Sequence, residues 1–450
     1  MNLHRLLVER EAMGRLLRVG MIGAGKFGSM YLAQARRTPG IHLVGLVDLS
    51  VPRARAALDT TGWAAERTSA KSLDEAARTG GTYVGDDAEA LISHPAIDII
   101  VEVTGNPLAA VRHALEAFAA QKHVINVTVE ADAFCGPLLA RKASQVGVVY
   151  SLAYGDQPAL ICDLVDWARA AGFEVVCAGR GHKWLPHYAA STPDTVWEHY
   201  GLTEEQARQG GLNPQMFNSF LDGSKPAIEC AAVCNATGLA APPDGLDYPP
   251  SSLTGIPTVC RPKSEGGQLH GKGQVEVLSS LERDGRPIVD NIRWGVFVVF
   301  EGDTDYVRRC FTEYGMVTDP DGRYGALYKR WHLIGLELGI SVASVGLRGE
   351  PTGCASRFRA DAVAAAKRDL APGEMLDGEG GYTVVGKLLP AETSLALGAL
   401  PLGLTHKVKV LRPVRKGTAL TWRDVEIDPT LDAVRARREM EALPKVDGLA

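Results

Sequence analysis

The sequence predicts an α/β chain: a doubly wound parallel sheet first, an α+β region after it, and a small β-rich segment at the end. Three observations predict this. Up to about residue 155, short apolar runs alternate with helix-length stretches, the pattern of parallel strands joined by crossover helices. The run Ile97 to Val103 reads as a predominantly apolar strand, as one covered on both faces requires. After about residue 350 the texture turns to short alternating segments such as "HKVKVLRPV", separated by Pro and Gly. The expected domains are 1–155, 156–350 and 351–450.

Size and composition agree. A chain of 450 residues allows two or three domains, and 46% hydrophobic with 22% charged residues is ordinary for a globular protein. The net charge of -5 offers no basic field for nucleic acid. No apolar run approaches the roughly 20 residues of a membrane span. The N-terminal "MNLHRLLVEREAMGRLLRVG" has no apolar signal core and reads as a short amphipathic helix. The eight cysteines form no C-x-x-C pair, and Cys230 and Cys234, four apart, read as core packing. A reducing, cytoplasmic setting is expected.

The first strand, "LRVGMIG", runs into G-x-G-x-x-G: Gly23, Gly25 and Gly28, with Ala24, Lys26 and Phe27 between them. The helix "KFGSMYLAQARRT" follows, then the strand "IHLVGLVD" ending at Asp48. Strand, glycine turn, helix, strand and terminal acid together are the context a dinucleotide site needs. Gly23 allows the tight turn, Gly25 lets pyrophosphate approach the backbone, and Gly28 lets helix and strand pack. Asp48 suits the ribose hydroxyls of NAD(H), whereas Arg53 and Arg55 suit a 2′-phosphate, so both cofactors stay open. Thr104 and Gly105 end the next strand at the carboxyl edge, where ligands bind. Residues 59–92 exceed a plain crossover and read as one or two helices with an extra short strand.

Four polar stretches are candidates for chemistry. "NVTVEADAFCGP" offers Glu130 and Asp132, the latter also readable as a helix N-cap. "YGDQPALI" places Asp156 and Gln157 at a strand-to-helix junction, where an acid can also be only a cap. "CAGRGHKWLPH" ends a strand with Arg180, His182 and Lys183, followed by His187, a set that suits an anionic substrate. "FLDGSKPAIECAAVCNATGL" turns into a helix on which Lys225, Glu229 and Asn235 mostly share a side. A lysine in a first turn opposes the helix dipole, and a bound anion is one reason for it. The glycine-rich "CRPKSEGGQLHGKGQ", with Lys263, His270 and Lys272, reads equally as a flap or a surface loop. The strands "QVEVLSSLE" and "IRWGVFVVFEG" flank a hairpin-like "RDGRP". "GRYGALYKRWHLIGLELGISVASV" reads as a buried helix with Arg323 near its start.

"VGMIGAGKFGS", "DIIVEVTGNP" and "KHVINVT" resemble the cofactor domain of the homoserine dehydrogenase family. That family follows the last strand with a Thr-Ala-Asn-Lys type of stretch. Here residues 126–132 read Asn-Val-Thr-Val-Glu-Ala-Asp and carry no lysine. The longer set "NVTVEADAFCGP", "YGDQPALI", "STPDTVW", "DGSKPAIE", "NATGL", "RWGVFVVFEG" and "GRYGALYKRWHLIGLELGISV" resembles the DXR-like (DRL) oxidoreductases. The resemblance implies a Rossmann domain, a substrate and dimerisation domain, and reductoisomerisation of 1-deoxy-D-xylulose 5-phosphate to 2-C-methyl-D-erythritol 4-phosphate in isoprenoid biosynthesis. It implies NADP(H) as the favoured cofactor with NAD(H) as alternative, a divalent Mg or Mn ion, an anionic small-molecule substrate and a homodimer or homotetramer. The catalytic candidates are then Lys183, Lys225, Asp156 and Glu130. The substrate-binding candidates are Arg180, His182, Glu229, Asn235 and Arg323. Residues 355–430 resemble a SAF-type β-clip, with a turn over Leu370 to Leu376, and the last twenty residues read as frayed. The alternatives are a dehydrogenase of another hydroxy acid, sugar phosphate or aldehyde, homoserine included, and a non-catalytic nucleotide sensor.

Overall fold

The computed structural model describes residues 2–443. They form two compact units. The first holds residues up to 160, 333–356 and the chain from 431 on; the second holds 161–332 and 357–430.

The first unit is built on six strands: β1 (Leu17–Ile22), β2 (Ile41–Val47), β3 (Tyr83–Gly85), β4 (Ile99–Glu102), β5 (His123–Asn126) and β6 (Tyr150–Leu152). Their order is β3-β2-β1-β4-β5-β6, and every pairing is parallel. This is the expected doubly wound sheet. Val19, Met21, Leu46, Ile99 and Val101 are buried in it beside Leu338 and, from the helix Gly339–Arg348 that follows it, Val342 and Val345. Each such side chain contributes roughly 1.5–3 kcal/mol when fully buried. The first helix, Leu3–Ala12, is present, and residues 59–92 supply the helices Leu73–Thr79 and Ala88–Ser93 around β3.

Two expectations fail here. The helix expected from Gly322 onward is a strand first, and only Gly339–Arg348 is helical. Tyr324 to Lys329 find a strand partner far away in sequence, and that pairing overrides the helical reading. The last twenty residues are not frayed over 431–443. The helix Asp432–Glu441 buries Ala433, Val434, Ala436 and Met440, and Arg437 donates to the Phe134 carbonyl at 3.1 Å. Residues 444–450 of that expectation lie outside the described residues.

The second unit contains β7 (Glu174–His182), β8 (Gln274–Ser279), β9 (Val296–Glu301), β10 (Val317–Thr318) and β11 (Tyr324–Lys329), ordered β10-β11-β9-β7-β8. The strands flanking "RDGRP" do not pair with each other. β8 joins one edge of β7 in parallel and β9 the other antiparallel. The C-terminal segment adds β12 (Ala360–Ala366), β13 (Met375–Asp377), β14 (Val384–Pro390), β15 (His406–Val410) and β16 (Val425–Glu426) in two small antiparallel sheets. The helix Ser224–Thr237 is buried almost all round, Cys230 and Cys234 included.

Candidate functional site

In the first unit the glycine turn follows β1. Gly23 has φ +106°, and a Cβ there would lie 2.7 Å from the Val103 carbonyl oxygen, so only glycine fits. A Cβ on Gly25 would meet nothing within 4 Å. Gly25 begins the helix Lys26–Ala35, and no side chain caps that end. Open space over uncapped N–H groups is a cradle for an anionic pyrophosphate, and the residues present fit a dinucleotide. Lys26 is exposed and Phe27 half-buried beside it. Gly28 is buried, and a Cβ on it would reach within 2.5 Å of Met21 Cε.

Asp48 closes β2 and is buried. Its Oδ2 accepts from Ala24 N at 2.8 Å and its Oδ1 from Ser50 N at 2.8 Å. Arg53 donates to both oxygens, from Nη2 at 2.6 Å and Nε at 3.3 Å. The ribose end of the cradle thus carries a neutralised acid beneath a half-exposed guanidinium.

Glu102, missed by the sequence reading, organises the neighbouring edge. It is fully buried at the end of β4. Its Oε1 accepts from the hydroxyl and N–H of Thr104, and His113 Nδ1 lies 3.4 Å away. Its Oε2 accepts from Thr128 Oγ1, which itself accepts from Gly105 N at 3.1 Å. One carboxylate therefore fixes the Thr104–Gly105 turn. The signal was an acid inside an otherwise apolar strand.

Glu130 and Asp132 lie in the first turn of the helix Val129–Gln145, both buried. Asp132 is not the N-cap; Thr128 holds that position. Neither Asp132 oxygen has a close hydrogen-bond partner. Burial pushes its carboxyl up to about 7, against the opposing effect of the Tyr150 hydroxyl. Asp156 precedes the helix Gln157–Ala170, and its Oδ1 accepts from Gln157 N at 3.0 Å.

In the second unit the carboxyl end of β7 gathers the cations. Arg180 is buried against Glu229 in an ion pair and donates to the Gly181 carbonyl at 3.1 Å. These two expected substrate ligands neutralise each other. His182 is buried, with Nε2 unpartnered. Burial first, then Arg180, holds its pKa well below 6.5, so the ring is neutral. Lys183 donates to the His199 carbonyl and lies 6.0 Å from the Tyr200 ring centroid. Burial and then Arg293 lower its pKa.

Arg293 was not foreseen. Its backbone packs on Gly181, where a Cβ would lie 2.8 Å from Arg293 N. Its side chain is half-buried over Trp294, 4.5 Å from the ring centroid. Among the described residues no carboxylate pairs with it. Burial lowers its pKa, while Tyr200 and Tyr188 favour its charge. Trp184 stacks on Tyr248 with ring centroids 4.2 Å apart, over Gly223 at φ +92°. Glu276 holds this wall from β8 by accepting from the N–H groups of Asp247, Tyr248 and Val277. Burial pushes its pKa up to about 8.

Lys225 lies in the first turn of Ser224–Thr237, one helical turn before Glu229. Two expected substrate ligands are elsewhere. Asn235 is buried, accepts from Arg359 N at 2.7 Å and Ala360 N at 3.0 Å, and donates to the Ala360 carbonyl. Arg323 pairs with Glu301 and Glu265. Glu301 lies opposite Glu174 at the start of β7, whereas Arg180 lies opposite Val296. Five strand residues separate those positions, about 17 Å. Lys272 also pairs with Glu301, and Arg261 with Asp319, so the glycine-rich loop is fastened at three points.

Among the described residues no group of three or more His, Cys, Asp or Glu side chains could hold a metal ion. No described helix is long and apolar enough to cross a membrane.

Two stretches of the chain match known protein families. Residues 17–126 match the model of the GFO/IDH/MocA oxidoreductase family, NAD-binding Rossmann fold. Residues 155–338 match the catalytic domain of oxidoreductase DRL. No curated protein matches the chain. Similar solved structures include an NAD-binding oxidoreductase from Klebsiella pneumoniae, 21% identical over 39% of this chain and 47% of that one, TM-score 0.27. A homoserine dehydrogenase from Thiobacillus denitrificans is 16% identical over 74% of each chain, TM-score 0.43. The scyllo-inositol dehydrogenase from Lactobacillus casei is 16% identical over 37% of this chain and 46% of that one, TM-score 0.25. The chain spans less than half the length of the first of these. The chain thus carries a stretch that matches the NAD-binding Rossmann fold of the GFO/IDH/MocA oxidoreductases, followed by a stretch that matches the DRL catalytic domain.

Proposed function

We propose that this oxidoreductase reduces an anionic carbonyl compound, and that its reaction is the NADPH-dependent reductoisomerisation of 1-deoxy-D-xylulose 5-phosphate. The observation that carries the reading is the positive charge left uncompensated at the end of β7. Arg180 is spent on Glu229, but Arg293 has no carboxylate partner and faces Lys183. Two half-buried cations of this kind favour a substrate bearing phosphate.

In the reaction, one carbon–carbon bond of the ketose phosphate breaks and another forms, giving a branched aldehyde. That aldehyde takes up hydride at carbon and a proton at oxygen. When bound, the reduced nicotinamide supplies the hydride. The chain's own residues bind and move protons. Lys183, Arg293 and Lys225 hold the anion. His182, kept neutral with a free Nε2, can exchange a proton with a substrate hydroxyl. No step is assigned to a metal. A homo-oligomer and a SAF-type C-terminal module belong to the same reading.

The test is NADPH consumption by purified protein given 1-deoxy-D-xylulose 5-phosphate with Mg²⁺ or Mn²⁺, with homoserine and oxidised cofactor run beside it. Consumption that Lys183→Ala and Arg293→Ala abolish supports the proposal. Cofactor binding without consumption removes this substrate from it.

A further inference from the structure

The C-terminal sheets send one charged side chain deep into the catalytic unit. Lys367 follows β12 and is buried. Its Nζ lies 2.7 Å from Asp222 Oδ2, 2.8 Å from the Ser191 carbonyl and 2.7 Å from the Gly381 carbonyl. The two carbonyls accept hydrogen bonds from the ammonium and Asp222 pairs with its charge, so three chain segments meet on one group.

Two of the three, Ser191 and Asp222, lead to the candidate site. Ser191 closes the short turn Pro186–Ala190, its N–H donating to the Tyr188 carbonyl. Tyr188 packs against His199, whose carbonyl holds Lys183. Asp222 accepts from Ser224 N at 2.8 Å and so sets the start of the helix carrying Lys225 and Glu229. The same C-terminal turn reinforces both. Asn218 donates to the carbonyls of Ser191 and Gly380, and Tyr382 donates to Asp194 at 2.7 Å.

We propose that Lys367 is a positioning residue, through which the C-terminal module fixes the 186–200 segment and the start of the Lys225 helix in their working places. This goes beyond the proposed reaction, although one arm of its test uses that reaction. Removing Lys367 alone leaves Asp222 buried and unpaired, which destabilises any fold. The informative variant is therefore the neutral double, Asp222→Asn with Lys367→Met. It removes the charge problem but leaves the Gly381 carbonyl without its donor and the Ser191 carbonyl with only the Asn218 amide.

The experiment compares wild type, Lys367→Met, the double variant and Tyr382→Phe. It measures the unfolding midpoint, hydrogen exchange over 186–200 and 218–225, NADPH binding, and kcat and KM with 1-deoxy-D-xylulose 5-phosphate. The double variant is expected to regain most of the stability lost in Lys367→Met and to bind NADPH normally. Its two segments still exchange faster, and kcat/KM stays down by roughly 100-fold, the scale of a small misplacement at a reacting centre. Tyr382→Phe, altering an exposed contact, loosens the 186–200 segment to a smaller degree. Wild-type exchange and kcat/KM in the double variant would overturn the proposal, because Lys367 would then only balance Asp222. If the wild type turns over no such substrate, the proposed reaction fails, and exchange alone decides this inference.

Discussion

Arg53 spans both carboxylate oxygens of Asp48, with Nη2 at 2.6 Å from one and Nε at 3.3 Å from the other. Asp48 also accepts from the Ala24 N–H of the glycine turn. The acid that would repel a 2′-phosphate is thereby neutralised by the group that would attract one. Arg53→Ala is expected to weaken NADPH binding by tenfold or more, since a hydrogen bond to a charged group contributes roughly 1.5–3 kcal/mol. NADH binding should stay level or tighten. Dissociation constants for the two cofactors check this, and equal losses for both would count against it.

Gly23 and Gly25 separate fold from function. A Cβ on Gly25 meets nothing within 4 Å, and no left-handed φ is required there. Gly25→Ala should change stability by no more than about 0.5 kcal/mol. It should still lose dinucleotide affinity, because the methyl group fills the cradle. Gly23→Ala, at φ +106° and against the Val103 carbonyl, should lose stability as well. Unfolding midpoints and cofactor titrations on both variants test the pair. Unchanged affinity in Gly25→Ala would place the dinucleotide elsewhere.

The cradle was legible because its geometry is local: a strand, three glycines, a helix and an acid lie within some thirty residues. Pairings between distant segments were not. Arg180 and Glu229 are 49 positions apart, and each alone reads as a substrate ligand. Arg323 is set by a pairing its local sequence does not show: "YGALYK" has a helical pattern, but its partner strand β9 fixes it at the far end of β7. Arg437 was hidden in a charged tail whose alanines, valine and methionine form a stripe that packs. Glu102 was legible in principle, since an acid within a buried strand needs a partner, and here it has several.

The Arg180–Glu229 pair should behave as structure and Arg293 as a ligand. Arg180→Met leaves Glu229 charged and buried and should destabilise the protein by roughly 3–5 kcal/mol. Adding Glu229→Leu should restore much of that stability. Substrate KM should then remain near wild type, whereas Arg293→Met should raise it with little effect on the unfolding midpoint. If the double variant loses substrate affinity as severely as Arg293→Met, the pair contacts substrate after all.

Asp132 should make the protein less stable as pH rises. Its folded pKa, pushed up to about 7 by burial, lies above the ordinary 3.8. Between those values the unfolded chain has lost this proton while the folded chain keeps it. Folding then takes up a proton, and stability falls with rising pH until the folded carboxyl ionises. Below both values the group contributes nothing; above about pH 7 the cost is full, at most about 4 kcal/mol. Asp132→Asn removes the ionisation and keeps the volume. It should leave stability unchanged near pH 3, give part of the gain near pH 5, and give all of it near pH 8. Denaturation midpoints at those three values read the slope directly. A gain independent of pH would mean that Asp132 is limited by packing and not by charge. A loss at every pH would mean that its carboxylate has a partner worth more than the cost of burial. If the stabilised variant also loses turnover, this unpartnered acid is kept for its proton, at the expense of the fold around it.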